Sequence, residues 1–148
     1  MTEPVQEKLE AIIAQNCAAA RLRLINRVVT NIYDEKLRSA GIRVNQLTML
    51  IFITYRKSVT QKDIQDILHM EKSTVSRNVE RMRNKGWIEA AKEGKTYRLT
   101  VTPLGQKLIE ESFPLWQKAQ EQVYHLLGKD NVDNIKAVAD FIWSHSFR

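Results

Sequence analysis

A single change of hydrophobic period constrains this chain most. Apolar residues recur three or four apart through most of it. Over "WIEAAKEGKTYRLTVT" (87–102) they alternate by twos on either side of Glu93-Gly94-Lys95, and at Thr102-Pro103 the helical spacing returns. Alternation broken by a glycine reads as a β-hairpin, whereas the longer period reads as amphipathic helix. The fold class that follows is mainly α with one small β-hairpin.

The helical segments have their own punctuation. Pro4 suits a first helical turn, and Val5, Leu9, Ile12 and Ile13 follow at helical spacing. From Ala18 the pattern runs through Leu22, Ile25, Val28, Val29, Ile32 and Leu37, with Gly41 as a C-terminal cap. Residues 5–40 thus read as one long or once-broken helix, with Asn16 at the interruption. The segment 44–57, "VNQLTMLIFITYRK", favours a strand by propensity, but its context argues for a buried helix. Thr60 and Asp63 form a shortened capping box, and Ile64, Ile67 and Leu68 share one face after it. A break near Met70 leads to a helix from about Lys72. Beyond the hairpin, Pro103 opens a helix carried by Leu104, Leu108, Phe113, Trp116, Val123 and Leu127 to Gly128, and a last helix spans about 130–146.

The order is therefore long helix, three helices, hairpin, long helix, helix. Its middle is a helix-turn-helix followed by a two-stranded wing. The outer helices carry apolar stripes that a small central domain cannot cover, and a second copy of the chain is the cheapest cover.

Charge is distributed unevenly. Residues 1–59 hold 9 basic and 5 acidic side chains, residues 60–102 hold 9 and 6, and residues 103–148 hold 5 and 6. The positive excess lies in the first two-thirds, so an acidic partner would meet the chain there. It concentrates in "MEKSTVSRNVERMRNKGW" (70–87). On a helix from Lys72, Val75, Val79 and Met82 point inward, leaving Ser73, Thr74, Arg77, Asn78, Arg81 and Lys85 outward. Arg reads guanine edges, Asn reads adenine, and Ser and Thr bond phosphates or bases. Charge alone leaves a merely solvated face open; the order of capped helix, turn, helix and hairpin favours duplex DNA.

At this point "SVTQKDIQDILHMEKSTVSRNVERMRNKGWIE" and "YRLTVTPLGQKLIEES" together resemble the MarR (multiple-antibiotic-resistance regulator) family of bacterial winged helix-turn-helix transcription factors. The similarity is clear over about residues 17–128. The resemblance implies a homodimer interlocked through its N- and C-terminal helices, a pseudopalindromic operator, and repression relieved by a ligand or by oxidation. It divides the chain into an N-terminal dimerisation helix region (1–40), a winged helix-turn-helix DNA-binding lobe (41–102) and C-terminal dimerisation helices (103–148). The base-reading residues expected from it are Ser73, Thr74, Ser76, Arg77, Asn78 and Arg81. Backbone contacts fall to Thr60, Gln61 and Lys62, with Arg43 and Lys85 beside them. The wing departs from the family pattern: its tip, "AKEGKTYR", offers Lys92, Lys95 and Arg98 but no Asp, and a lysine makes a point-charge contact where an arginine makes a planar fork.

Cys17 is the single cysteine, so no intramolecular disulfide is expected and a reducing cytoplasm is the default. In the hydroperoxide-sensing branch of the family, a lone cysteine in this region is the oxidation switch; the alternative is a small residue packed among Ala18, Ala19 and Ala20. The N-terminus is acidic where a signal peptide needs positive charge, and the most apolar window (47–55) is too short to span a bilayer. Tyr33, Tyr55 and Tyr124 could line a cavity between lobes and dimer helices for a small aromatic ligand. Trp116 and Trp143 are expected in the core or dimer seam. His69, His125 and His145 show no metal-ligand spacing, and no cofactor is expected. With no glycine-rich phosphate loop, no G-x-S-x-G and no H-E-x-x-H, catalysis is not expected. A winged helix that binds an acidic protein partner is the reading of another class.

Overall fold

The computed structural model describes residues 3–146. Its elements are α1 (Glu3–Asn16), α2 (Ala18–Leu37), a 3-10 turn (Arg38–Ala40), α3 (Val44–Arg56), α4 (Gln61–Leu68), α5 (Lys72–Asn84), β1 (Ile88–Glu93), β2 (Thr96–Val101), α6 (Pro103–Leu127) and α7 (Lys129–Ser146). The long N-terminal helix is broken once, at Cys17, whose backbone is extended. The ambiguous segment 44–57 is a helix because its apolar side chains are needed on one side. Leu47, Met49, Leu50 and Ile53 are all buried, and a strand would have sent alternate members to opposite faces.

The central core joins α3, α4, α5, the wing and the start of α6, with Ile64, Val75, Met82 and Leu99 wholly enclosed. One expectation is corrected here. Ile67 does not share the buried face of Ile64; it is 40% exposed, because α4 is only two turns long and one side of it carries the contact.

The hairpin pairs β1 with β2 antiparallel, from Ile88 opposite Val101 to Glu93 opposite Thr96. The two-residue turn is Gly94-Lys95, and Gly94 has φ +62°, a conformation open to glycine without strain. The wing is tied to the lobe on its other edge. Val59 N–H donates to Leu99 O (3.2 Å) and Leu99 N–H to Val59 O (2.7 Å), just before α4 begins.

Where the wing returns to helix, Thr102 Oγ1 accepts from Gly105 N–H (3.1 Å) and donates to Gly86 O (2.6 Å), so one hydroxyl caps α6 and holds the turn that follows α5. A Cβ on Gly105 would lie 2.2 Å from Trp87 O, so the close approach needs glycine. Gly105, Ser112 and Ala119 recur every seven residues along the buried face of α6.

A smaller cluster of Ile32, Ala119, Val123 and Val132 joins α2, α6 and α7. Beyond it the apolar stripes remain open: Val5, Leu9, Ile12 and Ile13 on α1, and Ile135, Val138, Phe141 and Ile142 on α7. Among the described residues no helix is long and apolar enough to cross a membrane.

Candidate nucleic-acid interface

Helix α5 presents its polar side because its apolar one is fully committed. Val75 and Met82 are wholly buried and Val79 nearly so, which turns Ser73, Arg77 and Arg81 to solvent. The six residues read from sequence as base contacts separate by burial, three exposed and three half-buried. Ser73, Arg77 and Arg81 are exposed. Ser76 and Asn78 are half-buried and already bonded: Ser76 Oγ donates to Gln61 Oε1 (3.1 Å), and Asn78 Nδ2 donates to Thr74 O (2.9 Å). Ser76 therefore fastens α5 to the first residue of α4, and Asn78 retains its amide oxygen as its open group. Thr74 is half-buried on the flank facing α2 and the start of α3.

The backbone candidates are arranged by a cap. Thr60 Oγ1 accepts from Asp63 N–H (3.1 Å), and Thr60 N–H donates to Asp63 Oδ2 (2.7 Å), the reciprocal box expected from sequence. Thr60 is thus consumed in starting α4. Gln61 is half-buried beside Ser76, and Lys62 is exposed and paired with Asp66 at 3.0 Å. Lys85 lies over the Trp87 ring, 5.7 Å from its centre. Arg43 stands at the N-cap of α3 with its guanidinium exposed.

The wing shows the largest departure from the sequence grouping. Lys92 and Lys95 are exposed near the tip. Arg98 stands apart from them in β2, with Nε 2.7 Å from Glu93 Oε2 and Nη1 3.8 Å from Asp63 Oδ2. Its guanidinium is turned back along the hairpin to the cap of α4. The Thr60 backbone N–H holds the Asp63 carboxyl below the ordinary carboxylate range; the Thr60 hydroxyl, Arg98 and Arg56 act in the same direction.

Several residues without any sequence signal enter the same region. Thr30, Asp34 and Asn45 share a groove with Arg43, Arg77 and Arg81. Asp34, on α2, accepts from Val44 N–H (2.8 Å) and so caps α3 from another helix. A residue that acts on a helix ten positions away leaves no mark in local periodicity.

Cys17 is half-buried at the α1–α2 break. One turn on, Arg21 Nη2 donates to Gln15 O (3.3 Å). An apolar cleft of about 450 Å³ lies between α2, α6 and α7, with Tyr33, Gln120 and Lys136 on its walls. Tyr33 Oη is hydrogen-bonded to Gln120, and burial raises its phenol pKa. Tyr124 Oη is bonded to Lys136. Tyr55 is 83% exposed and is not on the wall of this cleft. Trp116 packs against Tyr33 and Phe113, with ring centres 6.2 and 6.0 Å apart, while Trp143 is 46% exposed.

The sequence of residues 40–96 matches the MarR family. Over 99 residues the chain is 28% identical to an uncharacterized HTH-type transcriptional regulator, YwoH, of Bacillus subtilis, covering 66% of this chain and 72% of that one. Among solved structures, a mutant MarR from E. coli complexed with operator DNA superposes with a TM-score of 0.77 at 17% identity, covering 88% of this chain and 96% of the other. BpsR of Bordetella bronchiseptica, whose DNA binding is regulated by 6-hydroxynicotinic acid, superposes with a TM-score of 0.75 at 16% identity, over 86% and 94% of the two chains. Identities this low establish a shared fold.

Proposed function

We propose, from the premise that this chain belongs to the MarR family of transcriptional regulators, that it is a sequence-specific duplex-DNA-binding regulator acting as a homodimer in the bacterial cytoplasm. The observation that carries the reading is the face of α5, where Ser73, Arg77 and Arg81 stand exposed opposite the buried Val75, Val79 and Met82. This helix is the second of a helix-turn-helix whose fold matches a protein solved on operator DNA.

In this reading residues 41–102 form the DNA-binding lobe, and residues 1–40 and 103–148 supply the dimer helices. Ser73 and Arg77 reach base edges in the major groove, with Thr74 and the free oxygen of Asn78 on the flank. Lys62, Lys85 and the wing residues Lys92 and Lys95 meet phosphates, so binding releases counterions and weakens with salt. Two lobes must present their α5 helices about 34 Å apart to read successive half-sites. A small molecule bound among the outer helices shifts that spacing and releases the operator, a mode supported by the fold shared with BpsR. The protein works as a repressor and carries no catalytic chemistry.

Fluorescence-anisotropy titration against DNA from upstream of the chain's own coding region, with scrambled duplex as control, tests this directly. Operator-selective, salt-dependent binding is expected. Arg77→Ala should weaken operator binding by about 1–3 kcal/mol and relax preference at one position per half-site. Lys62→Ala should weaken operator and scrambled duplex alike. Equal behaviour of the two variants on both duplexes would refute the division of roles.

A further inference from the structure

Beside the outward face of α5 runs a groove of about 380 Å³, walled by α2, the start of α3 and α5, into which Arg43, Arg77 and Arg81 all project. Among the described residues none of these three guanidinium groups has an ion-pair or hydrogen-bond partner, although acidic side chains pair with Lys62, Arg98, Lys107 and Lys129 elsewhere. The one acid on the groove wall, Asp34, is engaged with Val44 N–H (2.8 Å). The N-terminus of the 13-residue α3 opens into the same space beside Asn45, adding the positive end of a helix dipole. Three guanidinium groups without an ion-pair partner face the single Asp34 carboxylate, which already caps α3, so the groove keeps a net positive charge that favours an anion.

We propose that this groove seats a backbone phosphodiester of duplex DNA, held by Arg43 and Arg81 with Asn45 as a neutral donor, while Arg77 is left for the base edges. The assignment rests on the DNA-binding reading and deepens it. It also moves Arg81 out of the base-reading group in which the sequence placed it. The reason is position along the helix. Base edges are met by the N-terminal part of a recognition helix. Arg81 lies about 6 Å further along α5 than Arg77, and its neighbour across the groove is Arg43 of another helix. Arginine suits the seat because its planar fork engages two phosphate oxygens at once. Thr30 and Asp34 of α2 form the far wall of the seat.

The full-length wild type, Arg43→Ala, Arg81→Ala, the double variant and Arg77→Ala are titrated against operator and scrambled duplex at several salt concentrations. The titrations are repeated on operators in which single phosphates are replaced by uncharged methylphosphonate. Arg43→Ala and Arg81→Ala should each weaken both duplexes by the same factor, about tenfold, and lower the salt slope by about one. One methylphosphonate position per half-site should weaken the wild type and leave the double variant unaffected. Relaxed base preference in Arg81→Ala with an unchanged salt slope would make Arg81 a base reader and overturn the proposal. Absence of any phosphate position shielded by the double variant would make the groove a solvated face and overturn it as well. Competition by inorganic phosphate that needs Arg43 and Arg81, without a sensitive phosphodiester, would assign the groove to a small oxyanion instead. Failure of the DNA-binding reading is seen separately, in a wild type that does not distinguish operator from scrambled duplex.

Discussion

The lobe around α3 and the outer helices solve the same problem in opposite ways. In the lobe, every large apolar residue of the central face is enclosed by its own chain: Leu50, Ile53, Ile64, Val75 and Met82 have no exposed surface. On α1 and α7, apolar residues at comparable helical spacing stay open, with Ile135 43% and Phe141 62% exposed. The difference is one of neighbours. Three helices, a hairpin and the start of α6 surround α3, whereas α7 meets the rest of the chain at a small cluster and α1 extends beyond it. Equal amphipathicity therefore has unequal consequences. One stripe stabilises the monomer, and in the proposed homodimer the other is covered by a second chain.

The contrast can be broken from the lobe side with Leu50→Ala, which leaves a cavity in a closed core and should lower unfolding free energy by about 2–5 kcal/mol in a urea titration. From the other side, Phe141→Asp should spare the folded lobe while placing a charge on the open stripe of α7. Self-association should fall by about 3 kcal/mol, more than a hundredfold, in sedimentation equilibrium. A monomer as stable as the wild type would confirm that the stripe serves association, whereas loss of fold would show that the two regions are one cooperative unit.

A smaller effect sharpens the lobe side. Thr60→Ala removes the acceptor at the start of α4 and should cost about 1 kcal/mol. The same cap gives a pH dependence. The Asp63 carboxyl titrates below its ordinary value of 3.8 in the folded chain, so its stabilisation is complete above that value and is lost as pH falls through the lower folded one. Asp63→Asn should lose this part of the acid dependence and keep the remainder, which urea titrations across the acid range would reveal.

The smallest expected change is at Ser112, whose buried hydroxyl has no hydrogen-bond partner among the described residues. Ser112→Ala should be neutral or stabilising by up to about 1 kcal/mol, because it removes an unsatisfied polar atom and keeps the small size the crossing of α6 requires. A clear loss of stability would mean that the hydroxyl finds a partner, such as a buried water, in solution.

Much of the fold was readable in the chain because it is written in local rules. The change of period at Gly86, the Thr60–Asp63 box, the Thr102-Pro103 start and the glycine turn each act within a few residues. The polar face of α5 was readable for the same reason, since one helical repeat decides which of Val75, Arg77 and Val79 turns inward. Ile67 and Tyr55 went the other way. Periodicity assigns a face but not whether a neighbour is there to cover it.

What the sequence determined by itself was the order of elements, the helix ends and the polar face of α5, all of which follow from backbone geometry and side-chain spacing. What only the tertiary structure decided was company. It turned Arg98 back to Asp63 and Glu93, bonded Ser76 to Gln61, capped α3 with Asp34, and brought Arg43 beside Arg81. Such pairings join residues from different helices, and their energies depend on distances that exist only after the core has set the helices against one another.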